Sequence, residues 1–119
     1  MSDGKAKKYL DFVRGVALKL PFVEEGTAYG NPAFRVKGKY MGGLREDGDT
    51  LSIKVEKIER DMMIQSEPEK YFITDHYLNY DYVVVRLDNV TEDDLYYLFK
   101  QAWRLAAPKR LLKEHGESL

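Results

Sequence analysis

Residues 33–55 read AFRVKGKYMGGLREDGDTLSIKV, and their alternation of apolar and polar side chains predicts three short antiparallel strands. Asp47-Gly48 marks the second turn as a two-residue type I′ hairpin, because both central positions of such a turn need positive φ. Pairing outward from this turn places Leu44 opposite Leu51. We therefore predict a three-stranded meander in the middle of one sheet, with the rest of the chain as its edges and covering helices.

The first turn of the meander, Lys37-Gly38-Lys39, is predicted as a three-residue loop, because a two-residue loop would turn Val36 to the polar face. This register pairs Val36 with Tyr40 and Arg35 with Met41. The apolar face then carries Phe34, Val36, Leu44, Leu51, Ile53 and Val55, with Tyr40 opposite Val55. The other face carries Arg35, Met41, Gly43, Arg45, Ser52 and Lys54.

Four segments have the apolar spacing or the end signals of helices. The third begins with a capping-box pattern, Thr91 with Asp94 three residues later. The second depends on Ile58 and Met62, which lie one helical turn apart. The predicted helices cover residues 4–20, residues 57–65, the segment from Thr91 to Pro108, and residues 109–114.

Three further strands are predicted at residues 24–29, 71–74 and 82–87, the last of them the β-branched and aromatic run YVVVRL. The order of the elements predicts an α+β two-layer sandwich: an antiparallel sheet of four to six strands covered on one face by the N- and C-terminal helices. Tyr82, Val84 and Arg86 would join the uncovered face. We expect residues 1–119 to form one domain.

Composition excludes several classes of protein. The chain has no cysteine for a disulfide, and neither a signal peptide nor a membrane span is indicated by any apolar run, so a cytoplasmic protein without a membrane partner is expected. A net charge of −1 and a pI of about 6.1 disfavour a domain that is basic throughout. The charge is uneven, however, because residues 33–45 and 100–113 contain cations and no acid. These two segments either converge into a positive patch or stay as separate solvated charges.

No catalytic residue, metal site or cofactor is predicted. His76 beside Asp75 is not a triad, since side chains adjacent in sequence rarely face each other, and two distant histidines are too few for a usual zinc site. A non-enzymatic binding protein is expected.

Six ordered segments resemble the MmcQ/YjbR family of small bacterial proteins: LPFVEEGTAYGNPAFRVKGK, LREDGDTLSIKV, ERDMMI, TDHYLNY, VVVRL and AWRLAAPKRL. The resemblance implies a fold similar to that of the bacterial frataxin homologue CyaY, and a double-wing DNA-binding role. It does not imply the iron chemistry of frataxin, because an acidic ridge on the first helix is absent.

A double wing would use two hairpin tips, Lys37-Gly38-Lys39 and residues 45–49, although Glu46, Asp47 and Asp49 make the second tip unfavourable for phosphate. The hypothesis is a salt-sensitive, largely sequence-independent contact with DNA phosphates. Its predicted residues are Arg35, Lys37, Lys39, Lys54, Lys109 and Arg110.

The alternative is a module that binds a protein or a small ligand through the uncovered sheet face or the TDHYLNY loop. Asp75, His76, Tyr77 and Tyr80 could orient a polar ligand, although the preferred interpretation of Tyr77 and Tyr80 is burial as anchors of the loop. The edge strand at residues 24–29 would permit a weak dimer, and otherwise a monomer is expected.

Overall fold

The computed structural model describes residues 2–119 and has the predicted α+β architecture. Four helices pack on one six-stranded antiparallel sheet, whose strand order is β1-β2-β3-β4-β6-β5. The helices are α1 (Ser2–Ala17), α2 (Lys57–Ser66), α3 (Glu92–Ala106) and α4 (Lys109–His115). The strands are β1 (Val23–Ala28), β2 (Asn31–Val36), β3 (Lys39–Leu44), β4 (Thr50–Lys54), β5 (Tyr71–Phe72) and β6 (Tyr82–Arg86). Within residues 2–119, no helix is both long and apolar enough to cross a bilayer.

The core lies between the sheet and the helices α1 and α3, and it confirms the predicted apolar face. Phe34 is fully buried and packs edge-on against Phe99 of α3, with ring centroids 6.0 Å apart. α3 begins with the predicted capping box between Thr91 and Asp94. All six residues assigned to the apolar face are buried: Phe34, Val36, Leu44, Leu51, Ile53 and Val55.

The predicted register of the first hairpin is wrong by one residue. Val36 pairs with Lys39, not with Tyr40, and the connection is the two-residue turn Lys37-Gly38. Both turn residues have positive φ, 48° and 79°, as a type I′ turn requires. Val36 nevertheless faces the core, because β3 contains a bulge that shifts the register between the Phe34 and Arg35 pairs.

Met41 is the extra residue of this bulge, since Phe34 pairs with Gly42 while Arg35 pairs with Tyr40. The bulge exchanges the predicted faces of two side chains. Met41 was predicted to lie on the uncovered face, but it is fully buried in the core. Tyr40 was predicted opposite Val55 on the apolar face, but its hydroxyl lies 3.3 Å from Ser52 Oγ on the other side of the sheet.

The second hairpin keeps the predicted pairing of Leu44 with Leu51, but its turn is not the predicted type I′. Of Asp47 and Gly48, only Gly48 has positive φ. The Asp47 carboxylate instead accepts hydrogen bonds from the Asp49 N–H, at 3.0 Å, and from the Thr50 N–H, at 2.9 Å. These bonds stabilise a longer loop with the same register.

α2 lies where a helix was predicted, but not for the predicted reason. Ile58 and Met62 do not face the core, because their exposed fractions are 78% and 61%. The buried residue of this helix is Arg60. The edges of the sheet are β1, predicted at residues 24–29, and the two-residue strand β5, predicted at residues 71–74.

Candidate functional site

A cleft of about 810 Å³ lies on the sheet face opposite the core. Its floor is formed by strands β2, β3, β4 and the start of β6, and one wall is the loop that joins β5 to β6. Aromatic and basic side chains dominate the lining. The lining residues are Ala28, Tyr29, Asn31, Pro32, Arg35, Tyr40, Gly43, Leu44, Arg45, Glu46, Ser52, His76, Tyr77, Tyr80 and Tyr82.

Five aromatic rings form a connected array in this cleft. Tyr40 and Tyr82, on the floor, have centroids 5.9 Å apart, and Tyr77 of the loop lies 6.0 Å from Tyr82. His76 continues the array, at 5.0 Å from Tyr77 and 6.3 Å from Tyr80. Edge-to-face and tilted contacts of this kind hold rings in defined orientations, so the array is a fixed surface on which a planar group could stack.

Two cations extend the floor pair into a row of four side chains. The Arg35 guanidinium lies 5.8 Å from the centre of the Tyr40 ring, and the Lys54 Nζ lies 5.5 Å from that of Tyr82. Strand pairing sets this geometry, because Arg35 is the partner of Tyr40 and Lys54 is the partner of Tyr82. The result is a cation-ring-ring-cation row, in order of contact Arg35 on β2, Tyr40 on β3, Tyr82 on β6 and Lys54 on β4; the first three line the cleft, and Lys54 lies beside it.

The tyrosine hydroxyls of this row remain protonated at neutral pH. Burial raises the pKa of the Tyr40 phenol above its ordinary value of 10.0, although the Ser52 hydroxyl acts in the opposite direction. Burial also raises the pKa of Tyr82, with a further increase from the neighbouring Tyr40 and Tyr77. The floor therefore offers neutral phenols that can donate hydrogen bonds, beside the guanidinium of Arg35 and the ammonium of Lys54.

The predicted loop residues contribute unequally to the cleft. Tyr77 is half-buried and fits the anchor interpretation, whereas Tyr80 is 59% exposed and does not. Asp75 begins a short 3₁₀ turn, Asp75–Tyr77, and both Asp75 and His76 are exposed. Across residues 2–119, no cluster of three or more histidine, cysteine and acidic side chains is placed to hold a metal ion.

The predicted DNA-contacting residues fall into two groups. Arg35 and Lys54 lie in the row just described. Lys37 lies at the β2–β3 turn, with Nζ 4.5 Å over the ring of Phe22, and faces a shallow groove that Arg110 of α4 also lines. Lys39 is the first residue of β3 and Lys109 is the first residue of α4, and both are exposed.

The two proposed wings do not point the same way. They are the turns at either end of β3, so a six-residue strand of roughly 20 Å separates them. Two carboxylates of the acidic second turn have partners within the protein. Asp49 forms an ion pair of 3.2 Å with Lys5, and Asp47 accepts a hydrogen bond from the Thr50 hydroxyl.

The model of the YjbR family matches residues 18–105, which is most of the chain. The chain belongs to the YjbR family. The matched segment includes every residue of the cleft, whereas Lys109 and Arg110 lie beyond it.

Relatives of this YjbR protein include uncharacterised proteins of Mycobacterium bovis and Mycobacterium tuberculosis, each 36% identical over 73 residues. These alignments cover 60% of this chain and 57% of each relative, so the chain spans little more than half the length of these curated relatives. The crystal structure of Deinococcus radiodurans protein DR2400, a DUF419 domain, is similar with a TM-score of 0.73. That similarity covers 90% of this chain and 87% of the other at 24% identity, and it establishes the fold.

Sequence reasoning missed two of the cleft tyrosines. Tyr40 was assigned to the core because the bulge at Met41 leaves no signal in the apolar pattern. Tyr29 was seen only as the end of an edge strand, but it follows β1 with a φ of 54° and is fully exposed at the cleft margin. Its neighbour Gly30 was a usable signal, because a turn at that point directs Tyr29 away from the sheet.

Proposed function

We propose that this YjbR-family protein is a non-enzymatic DNA-binding protein that contacts single strands weakly and with little sequence preference. The cation-ring-ring-cation row of Arg35, Tyr40, Tyr82 and Lys54 carries the proposal. Proteins that bind single strands combine aromatic platforms for the bases with cations that follow the phosphates. Unpaired bases can reach such a platform, whereas the bases of a duplex are stacked on one another.

The double-wing mode implied by the family resemblance has less support in this chain. Its tips lie at opposite ends of β3, and one of them is acidic. The basic group at Lys37 and Arg110 is also partly neutralised, since Arg110 lies 3.4 Å from Glu114. We therefore assign the principal contact to the cleft.

The test compares two double variants that remove the same charge. Arg35→Ala with Lys54→Ala alters the cleft, and Lys37→Ala with Lys39→Ala alters the β2–β3 turn. Fluorescence anisotropy with a labelled oligonucleotide of about 12 nucleotides measures affinity. We expect the cleft variant to lose about tenfold in affinity and the turn variant to change little. The opposite ranking would assign binding to the turn and contradict the proposal.

The salt dependence of the affinity and the affinity of a variant without a stacking ring provide two independent tests. With two phosphates neutralised on a single strand, log affinity should fall against log salt with a slope of roughly −1.4. Tyr82→Leu should weaken binding by roughly fivefold to 150-fold, because each stacked base contributes about 1–3 kcal/mol. A duplex of the same length should bind less tightly than the single strand. Tighter binding of the duplex would favour the double-wing mode instead.

A second candidate is a site for a small planar anion, favoured by the concavity of the cleft. Its volume of about 810 Å³ lies within the range of ligand pockets, roughly 300–1,000 Å³. Comparing the affinity for a mononucleotide with that for the oligonucleotide distinguishes the two functions. If a mononucleotide binds as tightly as the oligonucleotide, the cleft is a small-ligand site and the DNA proposal is wrong.

A further inference from the structure

Arg60 is the one residue of α2 that is buried, with 3% of its surface exposed. Arginine is rarely buried unless its charge is compensated. The charge of Arg60 must therefore be compensated by groups within the protein, and these belong to the wall of the cleft.

The Arg60 guanidinium reaches the backbone of the loop between β5 and β6. Its Nη1 donates to the carbonyl oxygens of Tyr80 at 2.9 Å, Tyr77 at 3.2 Å and Leu78 at 3.4 Å. Its Nε donates to Asp61 Oδ1 at 3.0 Å. Residues 77–80 thus wrap around Nη1, while the Asp61 carboxylate holds the same guanidinium group at Nε.

Two of these three carbonyls belong to cleft tyrosines. Tyr77 and Tyr80 both line the cleft, and each contacts the ring of His76. The backbone hydrogen bonds recorded for residues 74–80 are short-range, from the N–H groups of Tyr77, Leu78 and Tyr80 to oxygens three residues earlier, and a long-range bond, from the Val55 N–H to the Asp81 oxygen at 3.0 Å, forms only where the loop enters β6. Such a loop is expected to open locally unless a residue outside it fixes its backbone.

We propose that Arg60 is a positioning residue, which holds the loop so that Tyr77 and Tyr80 form the aromatic wall of the cleft. Its relevance to DNA rests on the proposed function above. Charge-assisted hydrogen bonds are the strongest available to a side chain, and the planar guanidinium can bind Asp61 and the carbonyls at the same time. A lysine at this position would have the charge but not the two-sided geometry.

Hydrogen exchange on the protein alone tests the positioning role. Arg60→Met is expected to speed exchange of the Tyr77, Leu78 and Tyr80 amides by about tenfold or more, while amides in the middle of β4 change far less. Arg60→Lys should rescue part of this protection. Lys57→Met, which removes an exposed cation from the same helix, is the matched control and should leave the loop unchanged. If Arg60→Met does not fold, Asp61→Asn loosens the same contact and should give a smaller effect of the same kind.

Loop exchange in Arg60→Met equal to that of the parent would overturn the proposal. So would a uniform increase over loop and sheet, because that result would mean general destabilisation. The DNA measurement is separate. A parent protein that binds no single strand contradicts the proposed function and leaves the exchange result to decide the role of Arg60. Where the parent binds, Arg60→Met is expected to lose at least about fivefold in affinity, from misplaced stacking residues.

Discussion

Gly43 lies directly beneath the side chain of Tyr40. A Cβ atom at position 43 would stand 2.9 Å from the Tyr40 hydroxyl oxygen and 3.0 Å from the backbone oxygen of Pro32. Only glycine leaves room there for the ring to lie across the strand and for its hydroxyl to reach Ser52. The floor of the cleft thus depends on a residue that has no side chain.

Gly43→Ala is expected to displace the Tyr40 ring and to abolish most of the binding in the cleft. Overpacking at such a site costs roughly 1–3 kcal/mol, so the protein should still fold. Urea denaturation measures the stability, and anisotropy with the single-stranded oligonucleotide measures the binding. Gly15→Ala is the matched control, because a Cβ at position 15 meets nothing within 4 Å, and this variant should bind normally. Unaltered binding by Gly43→Ala would mean that Tyr40 is not part of the site.

The apolar pattern was sufficient to predict the sheet, but not the local irregularity on which the cleft depends. Phe34 and Ile53 alternate with polar residues, and a period of two specifies which face each occupies. A bulge adds one residue without changing composition, so the fully buried Met41 could not be distinguished from a strand residue on the polar side. Because the bulge was not predicted, Tyr40 was placed on the apolar face, although it lines the cleft.

The candidate site could be predicted where strand pairing, or proximity along one short loop, determined it: of the predicted loop residues, His76, Tyr77 and Tyr80 line the cleft. Arg35 and Lys54 were placed together on the uncovered face, and the structure brings both beside tyrosine rings. Arg60 was passed over because its partners are backbone carbonyls 17 to 20 residues away, and carbonyls carry no sequence signal. Contacts between a side chain and distant backbone can be found only in three dimensions.

Met41→Ala should destabilise the protein by about 2–5 kcal/mol, because it opens a cavity at a fully buried position. The measurement is the urea midpoint followed by far-ultraviolet circular dichroism. Met62→Ala is the matched control, since Met62 is 61% exposed, and it should cost less than about 0.5 kcal/mol. A neutral Met41→Ala would show that position 41 faces water, as in the predicted register that pairs Met41 with Arg35.

Trp103→Phe should cost about 2–4 kcal/mol, from a lost hydrogen bond and a smaller ring in the core. The Trp103 Nε1–H donates to the Pro21 carbonyl oxygen at 2.8 Å, and the side chain is fully buried. This bond fixes the chain just before Phe22, whose φ of 61° is strained for a bulky residue. Tyr97→Phe, on the same helix, removes an exposed hydrogen bond of 3.0 Å to Glu59 and should change thermal stability little. Equal effects of the two variants would contradict the assigned role of Trp103.

Asp94→Asn should lower stability at neutral pH and make it less sensitive to acid. Burial alone would raise the pKa of the Asp94 carboxyl, but the hydrogen bond from the Thr91 N–H and the ammonium of Lys70, 3.1 Å away, hold it below its ordinary value of 3.8. A carboxyl with a lowered pKa contributes stability that is complete above the unfolded value and is lost as the pH falls through the folded one. We therefore expect a difference in stability of about 1 kcal/mol between parent and variant at pH 7, typical of a helix cap, which begins to shrink as the pH falls to about 4 and closes at lower pH.

The measurement is the urea midpoint of both proteins between about pH 7 and pH 3. Asp93→Asn is the control, because it removes an exposed charge from the same first turn of α3 and tests the helix-dipole contribution alone. Its effect should be smaller than that of Asp94→Asn, since the capping box and the ion pair with Lys70 belong to Asp94. A pH-independent difference for Asp94→Asn would assign the loss to packing, because a contribution from the ionised carboxylate must vanish when that group is protonated.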